Sequence, residues 1–233
     1  MPSVPPPRAA AAHARRPTNA AIPGGVQPAN PALRSTEREV WRAVTDMDDS
    51  SGDGARGRWP SRWIVLVGLM GAGKSAVGRV LAERMGRRHV DADAEIEAAA
   101  AASIADIFAR DGEAFFRERE AEVVRRILSG PPGVLSTGGG AWLTASVREA
   151  VAASGVSVWL RADLDTLWGR VKGRAHRPLL KAENPRAVLD RLLTAREPVY
   201  ALADVTVDSH SGRDVTGTAE AVLHALERRP VGA

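Results

Sequence analysis

One octapeptide constrains this chain more than any other feature: Gly68-Leu69-Met70-Gly71-Ala72-Gly73-Lys74-Ser75. It follows a continuous apolar run, Trp63 to Val67, and opens a stretch with helical apolar spacing (Val77, Val80, Leu81) that extends from Lys74 to Met85. A buried strand, then G-x-x-x-x-G-K-[ST], then a helix is the sequence form of a phosphate-binding loop. Glycines let successive backbone N–H groups turn inward around phosphate oxygens, and the helix N-terminus adds its dipole. Gly71, Ala72, Gly73, Lys74, Ser75 and Ala76 are therefore expected to line a nucleoside triphosphate. Lys74 brings a mobile point charge to the β- and γ-phosphates, where a rigid guanidinium fork serves less well. Of the 32 basic residues only Lys74, Lys172 and Lys181 are lysine, so a lysine at this position stands out. Ser75 offers a hydroxyl to Mg²⁺.

The loop sets the reading of what surrounds it. After Met85 a short strand reaches Asp91, helices follow near Ala94 to Ala101 and Ile104 to Arg110, and Asp111-Gly112 interrupts the pattern before a longer helix ends near Leu128. Further strands are expected at Gly133–Ser136, Val156–Leu160 and Asp204–Val207. Helices are expected at Thr144–Ala153, Asp163–Val171, Arg186–Glu197 and Thr216–Arg228, with a polar, proline-broken loop over 172–185. Five short apolar strands separated by helices predict an α/β fold with a five-stranded parallel sheet and helices on both faces.

Residues 1–60 are a different kind of chain. They are crowded with Pro, Ala and Gly, and before the first acid, Glu37, lie Arg8, Arg15, Arg16 and Arg34. Such a composition does not bury enough apolar surface to offset chain entropy, so a disordered extension is expected before a single domain at 61–233. Serine is scarce and no amphipathic helix or apolar h-region forms, which speaks against organellar targeting and secretion. The absence of cysteine excludes a disulfide framework and a thiol nucleophile. No apolar run approaches the roughly 20 residues of a membrane helix, so no membrane association is expected. A net charge of +4 is too small to suggest a nucleic-acid partner.

Beyond the phosphate loop, five more motifs occur in order: Asp91-Ala92-Asp93; Ile107-Phe108 through Gly112-Glu113 to Phe116-Arg117 and Glu120; Thr137-Gly138-Gly139-Gly140; Arg177-Pro178-Leu179-Leu180; and Arg196-Glu197-Pro198-Val199-Tyr200. With them the chain, from about Arg62 to the last helix, resembles the shikimate kinases. That resemblance implies a P-loop kinase of the nucleoside-monophosphate-kinase-like class. It also implies ATP-dependent phosphorylation of the 3-hydroxyl of shikimate in aromatic amino acid biosynthesis, with ATP as co-substrate and Mg²⁺ as cofactor.

The resemblance also distributes roles. Asp91 helps hold Mg²⁺ through water, beside Ser75. Asp93 takes hydrogen bonds from the acceptor's hydroxyls and accepts the attacking proton, although a carboxylate before a helix is also a plain N-cap. At strand spacing i, i+2 both aspartates are expected to face the cleft. Arg117 and Arg196 converge on the acceptor's carboxylate, which a planar guanidinium binds bidentately, and Glu120 orients Arg117. Gly138, Gly139 and Gly140 let the acceptor lie against bare backbone. Arg177, on the loop over 172–185 that resembles the family's lid, closes over the phosphates as a catalytic cation, and Arg170 stacks on adenine. Lys172 and Lys181 read as solvated loop charges. Ala92, where the family often has Ser or Thr, is a mild departure.

Two other readings remain open from sequence: another small-metabolite kinase of this architecture, such as a gluconate kinase, and a non-catalytic ligand-sensing domain of the same fold. A cytoplasmic monomer is expected.

Overall fold

The computed structural model describes residues 62–172 and 183–228. The expected extension over 1–60, Arg177, Lys181 and most of the expected loop over 172–185 lie outside the described residues.

The run Trp63–Val67 forms β1, whose residues are at most 1% exposed. A strand is that dry only when both faces of its sheet are covered. β1 pairs in parallel with β3 (Val134–Ser136) on one side and β4 (Gly155–Arg161) on the other, Ile64 lying opposite both Val134 and Val156. β2 (His89–Asp91) adds to β3 and β5 (Val205–Asp208) to β4, giving the order β2-β3-β1-β4-β5 with every pairing parallel. The connecting helices are α1 (Lys74–Met85), α2 (Ala92–Ala100), α3 (Ile104–Leu128), α4 (Ala145–Ser154), α5 (Leu164–Val171), α6 (Pro185–Tyr200) and α7 (Val215–Glu227). α1 packs with α7, and α3 with α4. The five-stranded parallel α/β sheet and the P-loop kinase fold expected from sequence are both present.

Most bounds fall within one residue of expectation, and two differ by more: α6 runs on through Pro198 to Tyr200, past the expected end at Glu197, and α2 starts early. α2 begins at Ala92 rather than Ala94, because the capping carboxylate belongs to Asp91. Within α3 two helical stretches meet at a kink, where Gly112 (φ 83°, ψ 171°) is not helical, as expected. The break falls where Asp111-Gly112 predicts it, and the rings of Phe108 and Phe116 close over it, 4.6 Å between centroids.

Trp63 is buried in the core, its indole N–H donates to Leu128 O at 3.1 Å, and the Arg88 guanidinium lies over its ring.

His89, half-buried at the start of β2, shares a 2.9 Å hydrogen bond with Ser136 Oγ. Burial pushes its pKa down, against Asp91, which raises it, and with Arg79, which lowers it further. The unfolded chain then binds a proton more readily than the folded one. Stability from this site is complete above pH 6.5, the ordinary value, and is lost as the pH falls towards the folded-state pKa. Thermal melts between pH 8 and 5 should show this loss in the parent and a smaller one in His89→Gln; equal slopes would remove His89 from the account.

Candidate active site

The carboxyl ends of β1, β2 and β3 carry the residues the sequence singled out, where an open α/β sheet binds its ligands. Two glycines of the phosphate loop are fixed by space as well as conformation. A Cβ on Gly68 (φ +135°) would lie 2.7 Å from Leu160 O, and one on Gly71 (φ +85°) 2.8 Å from Val171 Cγ1. Gly73, the N-cap of α1, has no side chain to bond the first-turn N–H groups, which suits them to an anion. Lys74 is 9% exposed, and its ammonium donates to Gly68 O at 2.8 Å and Leu69 O at 3.2 Å. The lysine thus lies folded over the loop it serves.

Arg170 clamps this loop to the segment after β5. Its Nη1 donates to Gly71 O at 3.2 Å and Ser209 Oγ at 2.9 Å, and its Nη2 to His210 O. Ser209 Oγ donates in turn to Ala72 O at 2.9 Å. Burial lowers the pKa of this guanidinium, whose ordinary value is so high that it keeps its charge.

Ser75 Oγ donates to Asp91 Oδ2, and Asp91 Oδ1 accepts the Asp93 N–H at 3.1 Å. The capping role considered for Asp93 therefore belongs to Asp91, the N-cap of α2. The shared strand direction also fails, since β2 ends at Asp91 and Asp93 lies in the first turn of α2. The helix itself turns Asp93 inward: a Cβ on Gly138 would meet Asp93 Oδ1 at 2.5 Å and Glu120 Oε1 at 2.6 Å. Among the described residues no His, Asp and Glu cluster of three or more forms a metal cage. One hydroxyl and one carboxylate do fit Mg²⁺, a hard cation usually held by one or two carboxylates together with phosphate oxygens and water.

The acceptor side is built on the triple glycine after β3. A Cβ on Gly140 would overlap the Arg117 guanidinium. Arg117 Nη1 donates to Glu120 Oε2 at 2.7 Å, its Nη2 donates to Glu113 Oε1 at 3.1 Å, and the group lies over the ring of Phe116. Burial opposes the charge on Arg117, yet Glu120 and Glu113 outweigh it and raise the pKa. Glu120 is 1% exposed, and its Oε1 has no hydrogen-bond partner among the described residues. Burial drives its pKa up, Arg117 opposes this, and Asp93 adds to it. From α6, Arg196 Nη1 donates to Gly139 O at 3.2 Å, and so does the hydroxyl of Tyr200.

Asp93, Arg117, Glu120, Arg196 and the triple glycine are thus gathered at one place, and Lys74, Ser75 and Asp91 at the phosphate loop. Lys172 is exposed at the end of the described segment. Sequence reasoning gave no role to Ser209 or to Tyr200, although Tyr200 is the chain's sole tyrosine and ends a quoted motif.

The shikimate kinase family model matches residues 70–227. The chain belongs to the shikimate kinase family. The shikimate kinase of Paramagnetospirillum magneticum is 60% identical over 148 residues, 64% of this chain and 76% of that protein. That of Cereibacter sphaeroides is 54% identical over 167 residues, 72% and 83% of the two chains. Among solved structures, the Acinetobacter baumannii shikimate kinase in complex with shikimate superposes with a TM-score of 0.69 at 38% identity, covering 73% of this chain and 95% of that one. Membership of the shikimate kinases favours neither the gluconate-kinase-like nor the ligand-sensing alternative.

Proposed function

We propose that this chain transfers the γ-phosphoryl group of ATP to the 3-hydroxyl of shikimate, giving shikimate 3-phosphate and ADP. One observation carries the acceptor: Asp93 and Arg117 press on Gly138 and Gly140 of a single turn. A hydroxyl-orienting carboxylate and a carboxylate-binding cation therefore address the same small molecule. Family membership supports the same choice.

Phosphoryl transfer is largely positioning and charge stabilisation. In the proposed reaction the first-turn N–H groups of α1, from Gly73 to Ala76, hold the phosphates, and Lys74 exchanges its contacts with Gly68 and Leu69 for the β- and γ-phosphate oxygens. Mg²⁺, held by Ser75 and through water by Asp91, would supply positive charge beside those oxygens. Asp93 orients the 3-hydroxyl and takes its proton at a carboxylate oxygen. Arg117 and Arg196 bind the acceptor's carboxylate, and Arg170 flanks the nucleotide base. By the likeness alone, Arg177 is assigned to the phosphates.

ADP release with Mg²⁺ and ATP should be fast with shikimate and near background with gluconate or no acceptor. ATP binding without shikimate-dependent release would overturn the proposal. No helix among the described residues is long and apolar enough to cross a membrane.

A further inference from the structure

The carbonyl oxygen of Gly139, in the middle of the triple glycine, accepts two hydrogen bonds from one helix, from Arg196 Nη1 at 3.2 Å and from the Tyr200 hydroxyl. The two donors are one turn apart on α6. The bond is returned on the other side of the turn, where Trp142 Nε1 donates to Val199 O at 3.0 Å. Trp142 belongs to the short 3₁₀ turn Ala141–Leu143 directly after the glycines. The neighbouring carbonyls are also committed, Gly138 O to the Ala141 N–H and Gly140 O to the Leu143 N–H.

Tyr200 is held as firmly as what it holds. It is 1% exposed, and its ring stacks on Trp159 of β4 at 6.1 Å between centroids. Burial pushes its pKa up, opposed by Arg196, so the phenol keeps its proton and remains a donor at neutral pH. Three consecutive glycines have no side chain to fix their peptide planes, and their backbone freedom is the largest of any residue. Something outside the turn must set the direction of those planes.

We infer that Tyr200 is a positioning residue for the acceptor site. Its hydroxyl fixes the Gly139–Gly140 peptide plane and shares with Arg196 the task of holding that carbonyl. In a trans peptide the N–H of Gly140 points opposite to the Gly139 carbonyl. Anchoring the carbonyl on α6 therefore aims this N–H away from α6 and fixes the floor beneath Arg117. Without Tyr200 the carbonyl keeps one donor, Arg196, the side chain that the proposed reaction needs for the acceptor. The inference rests on the acceptor site proposed above.

Tyr200→Phe in the full chain removes the hydroxyl and keeps the ring stack. The expected result is a shikimate KM raised about fivefold, in line with one neutral hydrogen bond, with the ATP KM and kcat within twofold of the parent. A buried tyrosine that served only stability would lower the melting temperature and leave both KM values alone, and that outcome overturns the inference. If Tyr200→Phe does not fold, Trp142→Phe releases the same helix from the far side of the turn and should raise the shikimate KM in the same selective way. Unchanged shikimate KM there would equally overturn it. A parent with no shikimate-dependent ADP release would instead overturn the proposed function, so the two failures are told apart.

Discussion

Asp93→Asn should lower kcat by roughly 10²–10⁴-fold, the range of a lost general base, while the ATP KM stays close to the parent value. Asparagine has the same size and keeps one acceptor oxygen, so it can still orient a hydroxyl but no longer takes its proton. The position of Asp93 makes the result specific. It lies in the first turn of α2 and owes its inward direction to the helix that Asp91 caps, and that cap uses the Asp93 backbone N–H, which the substitution retains. Steady-state kinetics with both substrates varied gives the answer. A kcat within threefold of the parent would remove Asp93 from the proton's path and leave it an orienting residue.

Arg117→Ala should raise the shikimate KM by about 10²-fold, equivalent to ~3 kcal/mol for a charge-assisted contact with a carboxylate, with ATP binding nearly intact. An equal loss of ATP affinity would refute the role. This substitution has a second consequence, because Glu120 is 1% exposed and Arg117 is its ion-pair partner at 2.7 Å. Removing one member of a buried pair costs about 3–5 kcal/mol, since the other charge is left uncompensated. The Glu120 pKa already lies above its ordinary 4.5 through burial, with Arg117 holding it back; in the variant it rises further. The folded state then keeps a proton that the unfolded chain releases. Stability is present below about 4.5, the unfolded pKa, and is lost as the pH rises through the folded pKa. Melting temperatures from pH 5 to 8 should fall with pH in Arg117→Ala more steeply than in the parent. Parallel profiles would show that Glu120 does not depend on Arg117.

Both effects trace to residues that were legible in the sequence, though for different reasons. The sheet could be read because β1 and β4 are apolar runs of parallel-strand length, and the loop between β1 and α1 because glycine spacing leaves few alternatives. Asp111-Gly112 marks the interruption of α3 and the helix continues to Leu128 as expected; the contact of Phe108 with Phe116 across the break is not legible, because a contact across a kink has no period. The aspartates illustrate the opposite limit. The order of the motifs singles out Asp91 and Asp93 but not their geometry, because one residue decides whether a carboxylate ends a strand or begins a helix. The clamp from Arg170 through Ser209 to Ala72 links positions far apart in the chain, and no local pattern announces it. Tyr200 ends a motif of the sequence, but only the fold brings its hydroxyl to Gly139.

The outermost strands of the sheet have a bearing on how the protein behaves in concentrated solution. β2 has three residues and β5 four, and each ends in an aspartate, Asp91 and Asp208. An unpaired strand edge is a template on which another chain can add, and short, charged edges are poor templates. Asp208 also carries an ion pair with Arg161 at 2.6 Å, which sets both charges beside the β5 margin. The longer, wholly apolar β1, which would be an aggregation hazard at an edge, is instead enclosed at the centre with neighbours on both sides. The strand order that brings the phosphate loop to the middle of the sheet thereby also keeps its most adhesive segment out of reach of other copies.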